Sequence, residues 1–532
     1  MKTTLFYNGI CHSMKAQDDV FSAFTVSDGR ITRVYKADEA ATLQLADFKD
    51  KVDLQGQHVY PCLIDGHTHM LLTIAVMAMG FNACEITKDG VEPHTVAGVE
   101  ARVRDYAAKQ KTDAVIAINN YICTAIDERR MPTREELDDW GGGRAMVIYN
   151  IDGHSTSLSS AMLKKIGIDP KGHSGVLTGE DNERAQGRII DIVGGAISLP
   201  TLARGIANFH NYCAEYGISV VGALEGNGDS EKDTTTKLII RLARHFGVGV
   251  RLYLQYTDLD RVAPYAKLMK HKRLGGCGDW EMDGASGSHS AAFAEPYTDT
   301  GKTAPCYYDR ETVDRFCAKA EAQGYQIASH AIGDLAIRQL VDAYDKLGSK
   351  TLHRIEHAEF ADDETFRRIC EGNYAIMAQP GYSWIDKRYL HTYEQVLSQE
   401  IRDRMKFKSY YDAGVLICGS SDSPGQDMGP YLQMLGMVQV YNEQESLTPY
   451  EALRTYTVNA AKALLEGDER GTLEVGKVAD FFTADDDFFG LSPEEVVSFR
   501  PVQTYYEGEA YRPMKGTVGN LVRMLMKRPK LI

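Results

Sequence analysis

Two rhythms of apolar residues run through the middle of the chain. After residue 310 the period is helical. In "ETVDRFCAKAEAQG" Val313, Phe316, Cys317 and Ala320 recur at i, i+3, i+4 and i+7, and Gly324 follows as a C-cap. The run "DLAIRQLVDAYDKLG" repeats this with Ile337, Leu340, Val341 and Tyr344 and stops at Gly348. Between and around these helices lie short β-rich runs ending in polar residues: "YQIASHAIGD", "LHRIEHAEF", "NYAIMAQP" and "GVLICGSSDSP". Earlier runs of the same kind are "CLIDGHTH", "GISVVGALEG", "VRLYLQY" and "DWEMDG". Eight strands alternating with helices predict an α/β fold, a (β/α)8 TIM-type barrel. An open doubly wound sheet is the competing architecture.

The two ends of the chain read differently. "TLFYNGICHSMKAQDDVFSAFTVSDGRITRVYKADE" is β-rich and broken by Asn-Gly and Asp-Gly, both hairpin signals. "GTLEVGKVADFFTADDD" and "VQTYYEGEAYRP" form a similar region near the other end. Each is too small to hold a core alone, so the two are expected to pair as one composite β-sandwich. The stretch from about 85 to 199 has strand-like runs of its own, "DAVIAINNY" and "RAMVIYNIDGH", and reads as an α/β insertion after the first barrel strand. The expected organisation is therefore sandwich 1–59, first barrel strand 60–84, insertion 85–199, rest of the barrel 200–467, and sandwich again 468–532.

Composition narrows the function classes. With 59 basic and 74 acidic residues the formal charge is −15, which argues against a nucleic-acid partner. No basic-then-apolar leader opens the sequence, and no apolar run is long enough to cross a bilayer. The ten cysteines lack CxxC pairs, which fits reduced thiols and a cytoplasmic location. A small-molecule substrate is the partner these features leave.

The 15 histidines are not scattered evenly. His67 and His69 stand two apart at the end of "CLIDGHTH", a spacing that puts both on one face of a strand. His330 ends "QIASH", His357 ends "RIEH", and Asp422 lies just past "VLICGSSD". A barrel brings all its strand ends to one mouth, so these five side chains are expected to meet there. Imidazoles with a carboxylate suit a hydrolytic divalent site, most simply Zn2+. Any one of the five, alone, reads equally well as a structural histidine or a turn former.

"DGHTHM", "SHAIGD", "RIEHAEF", "AQP" and "GSSDSP", in this order, resemble the amidohydrolase superfamily. More narrowly they resemble amidohydrolase family 3, the branch with N-substituted formamide deformylases and YtcJ-like hydrolases. "DGHSTSLSS", "DGASGSHSAAFAEPY" and "GTLEVGKVADF" agree, so the resemblance runs over nearly the whole chain. It implies the barrel beside a composite β-sandwich and a divalent metal at the barrel mouth. Many two-metal relatives carry a metal-bridging lysine on the fourth strand. Here that run is "GGCGDWEMDG", without lysine. Asp279, Glu281 and Asp283 alternate there and would share a face, which makes Glu281 or Asp279 a candidate bridge. Glu225 is another acid near the mouth. Without a bridge the site holds one ion, on His67, His69 and His330, with Asp422 close enough to ligate and His357 polarising substrate or water. Metal count, one or two, stays open.

Asp422 is the expected general base and His357 its partner in catalysis. His154, in the insertion, is a candidate for binding a substrate carbonyl. Tyr382 and Trp384, in the run after the seventh strand, are candidates for framing an apolar substrate. "SYYDAG" at 409–414 reads instead as part of the helix entering strand eight. The function these residues suggest is hydrolysis of a non-peptide C–N bond in a small N-acyl or N-formyl compound. The alternatives are a deaminase acting on an amino-substituted ring, or a catalytically silent scaffold. Barrel enzymes of this kind often form homodimers, though nothing in the sequence marks an interface.

Overall fold

Eight parallel strands surround one axis in a computed structural model that describes residues 3–87, 90–230 and 232–532. We number them β1 (Leu63–Thr68), β2 (Ile218–Glu225), β3 (Gly249–Leu254), β4 (Arg273–Glu281), β5 (Gln326–Ala331), β6 (His353–His357), β7 (Tyr374–Ala378) and β8 (Leu416–Gly419). They pair in sequence order. The two edges meet where Asp422 N–H donates to the His67 carbonyl (2.9 Å) and His69 N–H to the Ser423 carbonyl (2.9 Å). That closure favours the barrel over an open sheet.

The barrel helices form where the 3.6-residue period predicts them. Arg310–Ala322 buries Val313, Cys317 and Ala320, and Asp334–Leu347 ends on Gly348 at φ +55°. "SYYDAG" lies in the helix Phe407–Asp412 and the turn leading into β8. Among the described residues no single helix is long and apolar enough to cross a membrane.

The barrel interior is layered by charge. At its lower end Arg251 Nη2 donates to Glu466 (2.7 Å) and Arg273 Nη2 to the Leu464 carbonyl (2.6 Å), so a segment after β8 plugs the bottom. Above it Arg354 lies over the Tyr253 ring and beside Glu356, with no exposed surface on either charged side chain. The candidate donors form the layer above that.

The chain ends contribute two further sheets. One is made only of N-terminal strands. The other interleaves Ile10–His12, Val20–Phe21 and His58–Pro61 with Phe481–Ala484, Gln503–Tyr506 and Glu509–Ala510. Phe6 and Phe24 from the first pack on Val59, Phe481 and Tyr505 from the second. Asp28-Gly29 makes the expected hairpin, with both residues at positive φ (+50° and +74°). Asn8-Gly9 does not. Thr3–Tyr7 and Ile10–His12 belong to different sheets, so there the left-handed Asn8 (φ +60°) turns the chain across the sandwich. The hairpin signal was local, whereas strand partners were set by burial of Phe6 and Cys11.

Between β1 and β2 a four-stranded sheet of Ile116–Tyr121, Met146–Asn150, Ser155–Leu158 and Val176–Thr178 packs beside the helix Gly179–Gly195. The turn from Asn150 to His154 and one face of that helix overhang the barrel mouth.

Candidate metal centre

Each donor is delivered by the end of a strand. Asp65, fully buried on β1, accepts from Ser421 N–H (3.1 Å), Ser421 Oγ (2.5 Å) and His67 N–H (3.3 Å), locking the ends of β1 and β8 together. His69 is the first residue past β1 and starts the helix Met70–Met79. Asp422 sits at φ +56°, a left-handed backbone that costs a non-glycine residue about 1 kcal/mol or more and marks a constrained position. Its Oδ1 lies 3.1 Å from His67 Nε2 and 3.2 Å from His69 Nε2. Donors on a common ion with bonds of about 2.0–2.1 Å stand about 2.9 Å apart at right angles and about 3.4 Å apart in a tetrahedron. Both separations fall inside that range.

His330 and His357 complete the ring of imidazoles. His357 lies 5.1 Å from the His67 ring and 4.4 Å from the His330 ring, centroid to centroid. On a regular strand Arg354 and Glu356 would share the inner face and His357 the outer one. The left-handed turn at His357 (φ +68°) and Ala358 (φ +51°) brings the imidazole back to the axis. His357 Nε2 is buried and has no hydrogen-bond partner among the described residues. Leaving such an atom unsatisfied costs about 1–3 kcal/mol, and a cation beside it removes that cost. His330 Nε2 faces the Gly284 carbonyl at 3.3 Å, which leaves Nδ1 as its free lone pair. The site therefore fits a divalent ion by donor type, spacing and an orphaned buried nitrogen.

A buried chain of charge orients His67. Arg354 donates to Glu356 through Nε (2.8 Å) and Nη2 (2.6 Å), and His67 Nδ1 donates to Glu356 Oε2 at 2.6 Å. With the proton on Nδ1, the Nε2 lone pair is presented to the site. Burial raises the Glu356 pKa, but Arg354 and His67 outweigh it and bring it to about 2. Burial opposes charge on His67, yet Asp422 and Glu356 lift it to about 9, so without an ion Nε2 also carries a proton, shared with Asp422, which a cation bound there would displace. Burial and the neighbouring His67 push His357 down to about 4, so it is neutral and able to ligate.

The fourth strand departs from the expectation that Asp279, Glu281 and Asp283 share a face. Gly276 pairs with Ser329 and Glu281 with His330, so residues 277–280 bulge out of the ladder and the alternation is lost. Asp279 turns outward and accepts from Thr257 N–H (3.1 Å) and Gly228 N–H (3.0 Å). Asp283, past the strand end, accepts from the backbone of Ala292, Ile332 and Gly333. Glu281 lies near His330 and faces Glu183 of the insertion. Burial and that second carboxylate raise it well above the usual range, and its Oε2 is buried without a hydrogen-bond partner among the described residues. Cys277, absent from the sequence reading, is brought by the bulge to 3.7 Å from His67 Nε2. Glu225 accepts from Leu71 N–H (3.0 Å), and burial raises it to about 8.

Two connecting cavities open above these donors, with about 820 and 740 Å3 of empty space counted out to the mouth. His154 and Tyr382 line both. His154 Nδ1 bonds to Glu183 (3.0 Å), and although burial disfavours the cation, Glu183 and Glu281 lift it to about 10. Trp384 lines neither cavity; its indole N–H donates to Gln439 (3.0 Å). The run containing it is helical, Pro380–Ile385, rather than an open loop, so residues 382 and 384 point about 200° apart around the axis.

Fold, strand-end donors and cavity together describe a barrel hydrolase. The chain belongs to the amidohydrolase family, whose model matches residues 50–511, and it is an amidohydrolase. It is 24% identical to the amidohydrolase-type protein YtcJ of Bacillus subtilis (strain 168) over 95% of this chain and 98% of that protein. It is also 24% identical to the N-substituted formamide deformylase of Arthrobacter pascens over 96% of this chain and 98% of that protein. Among solved structures, an uncharacterized metal-dependent hydrolase from Pyrococcus horikoshii OT3 superposes with a TM-score of 0.71 at 20% identity, over 92% of this chain and 99% of that one.

Proposed function

We propose that the protein is a metal-dependent hydrolase that cleaves the C–N bond of a small, uncharged N-formyl or N-acyl compound, with Zn2+ as its ion. The observation that carries this reading is the convergence of His69, His330, His357 and Asp422 at the floor of a cavity, with His67 buried directly behind Asp422 and His357 Nε2 without a partner among the described residues. Similarity to an N-substituted formamide deformylase over nearly the full length supports the bond type.

A bound divalent ion supplies Lewis acidity, lowering the pKa of water from about 15.7 towards about 7 and polarising a carbonyl. The protein does the rest. Asp422, held ionised by His67 and His69 against the effect of burial, accepts the proton of the attacking water and returns it to the leaving nitrogen. His154, charged and anchored by Glu183, donates from Nε2 to the substrate carbonyl oxygen as negative charge builds there. Glu356 and Arg354 hold His67 in one tautomer throughout.

Charge in the cavity supports an uncharged substrate. Its described lining includes Asp152, Glu183, Glu281, Glu359 and Asp386 but no lysine or arginine, and the one charged imidazole, His154, is already paired with Glu183, so no guanidinium or ammonium is there to clamp a substrate carboxylate. The test is a panel of neutral N-substituted formamides, neutral amides, N-acyl amino acids and aminated rings, read by amine, carboxylate and ammonia release. Equal amounts of amine and carboxylate from neutral amides are expected. Ammonia from a ring substrate without carboxylate would establish the deaminase instead, and a preference for N-acyl amino acids would refute the uncharged substrate.

A further inference from the structure

Once the five donors are assigned, the strand that would be expected to link them supplies a different atom. The groups of donor atoms lying within 4.8 Å of one another form a chain: His67, His69 and Asp422; then His67, Cys277 and His357; then Cys277, Glu281 and His330. Cys277 belongs to both of the last two. Taking the metal-dependent reading above as its premise, we propose that the Cys277 thiolate is a metal ligand shared between two ions, one on His67, His69 and Asp422 and one on His330 and His357.

Three observations support this. The first is distance. A sulfur and a nitrogen on one tetrahedral zinc, with bonds of about 2.3 and about 2.05 Å, stand about 3.6 Å apart. Cys277 Sγ lies 3.7 Å from His67 Nε2. The second is the backbone that delivers it. Gly275, Gly276 and Gly278 all have positive φ (+93°, +110° and +61°), and a Cβ at Gly276 would fall 2.6 Å from Leu224. Cys277 N–H is held at 3.1 Å by Gln255 Oε1. Three glycines and a pinned amide turn a four-residue bulge so that this side chain, 5% exposed, faces the barrel axis. The third is independent of the cysteine: His357 Nε2, buried in the same group, has no partner among the described residues. A metal between His357 and Cys277 would supply one.

The carboxylate that competes for this role reaches only one of the two groups. Glu281 stands with Cys277 and His330, and also with Glu183 and His154, but not with His67; its Oε1 accepts from Gly278 N–H (3.1 Å), and its Oε2 is buried without a partner among the described residues. Coordination through sulfur releases the thiol proton to solvent, and the thiolate then offers two of its three lone pairs, one to each ion, so charge and electrons balance without any oxidant. Thiolate ligation also favours softer borderline ions such as Zn2+ over Mg2+ or Mn2+.

The full-length protein is stripped, reloaded with Cd2+ or Co2+, and compared with Cys277→Ser and Cys277→Asp by metal analysis and near-ultraviolet absorption. Wild type is expected to bind two equivalents and to gain a sulfur-to-metal charge-transfer band. Cys277→Ser should lose that band and bind metal at least about 100-fold more weakly, beyond the usual loss when a supporting contact is removed. Cys277→Asp, with an oxygen donor, should recover the second equivalent without the band. A purely structural cysteine predicts neither the wild-type band nor the split between the two variants. If wild type binds metal with no sulfur band, or if Cys277→Ser keeps both the band and the stoichiometry, the thiolate ligand is refuted and the metal-dependent reading stands. If wild type binds no metal at all, the premise itself fails.

Discussion

Replacing Glu356 by glutamine tests how the barrel holds its first histidine. The carboxylate is fully buried and accepts three hydrogen bonds, two from Arg354 and one from His67 Nδ1. An amide of the same size can accept only at its oxygen, and its NH2 must face either the guanidinium or the imidazole. Facing Arg354, it sets donor against donor beside a buried cation that in either orientation has lost its counter-charge. Facing His67, it forces the proton from Nδ1 to Nε2 and turns the metal-facing lone pair into an N–H. Breaking one side of a buried ion pair costs about 3–5 kcal/mol. At about 2.1 cal/mol/K per residue over 532 residues, the unfolding entropy is about 1.1 kcal/mol/K, so that cost lowers Tm by about 3–5 °C. Loss of the supporting bond should also weaken metal binding about 10–100-fold. Calorimetry of the metal-free protein isolates the first effect, and competition with a chelator measures the second. A variant within about 1 °C of wild type that binds metal equally well would show that the Arg354–Glu356–His67 chain does not position the ligand.

Asp422→Asn should leave the fold intact and lower turnover about 10²–10⁴-fold, the usual contribution of a general base; activity within a few-fold of wild type would remove Asp422 from that role. Glu225→Gln should stabilise the protein at alkaline pH. The native carboxyl, raised to about 8, holds its proton while the unfolded one loses it near 4.5, so the native state loses relative stability from about pH 4.5 to 8. The neutral amide still accepts from Leu71 N–H. The gain should be nearly absent at pH 4.5 and reach about 5 kcal/mol by pH 9, measured by urea unfolding; a pH-independent difference would contradict it. His154→Phe should reduce kcat more than it raises KM if the imidazole stabilises the developing oxyanion, and a change confined to KM would reassign it to ground-state binding.

Sequence legibility followed regularity. β1, β5, β6 and β8 could be read because each is a short apolar run ended by a histidine or aspartate, and barrel topology brings such ends together. The helices could be read because Val313 to Ala320 and Ile337 to Tyr344 keep one period. Cys277 could not be read because β4 bulges, and period-two reasoning assigns faces only while the ladder is unbroken. The three nearby glycines carried the signal: "GGCG" in a strand marks a bend or a close backbone approach. Arg354 and Glu356 were not picked out from the sequence, although their spacing of two inside "HRIEH" places both on one face of a strand. Glu183 carried no local signal, since it reaches His154 only through packing of the insertion over the mouth.

The central claim is that these donors hold a divalent cation. The most direct measurement is elemental analysis of the purified, zinc-reconstituted protein after exhaustive dialysis, alongside the His67→Ala and His330→Ala variants. Retained zinc in the wild type, two equivalents if Cys277 is shared between ions, and a loss in both variants are predicted. A correctly folded wild-type protein retaining no divalent ion would contradict the account.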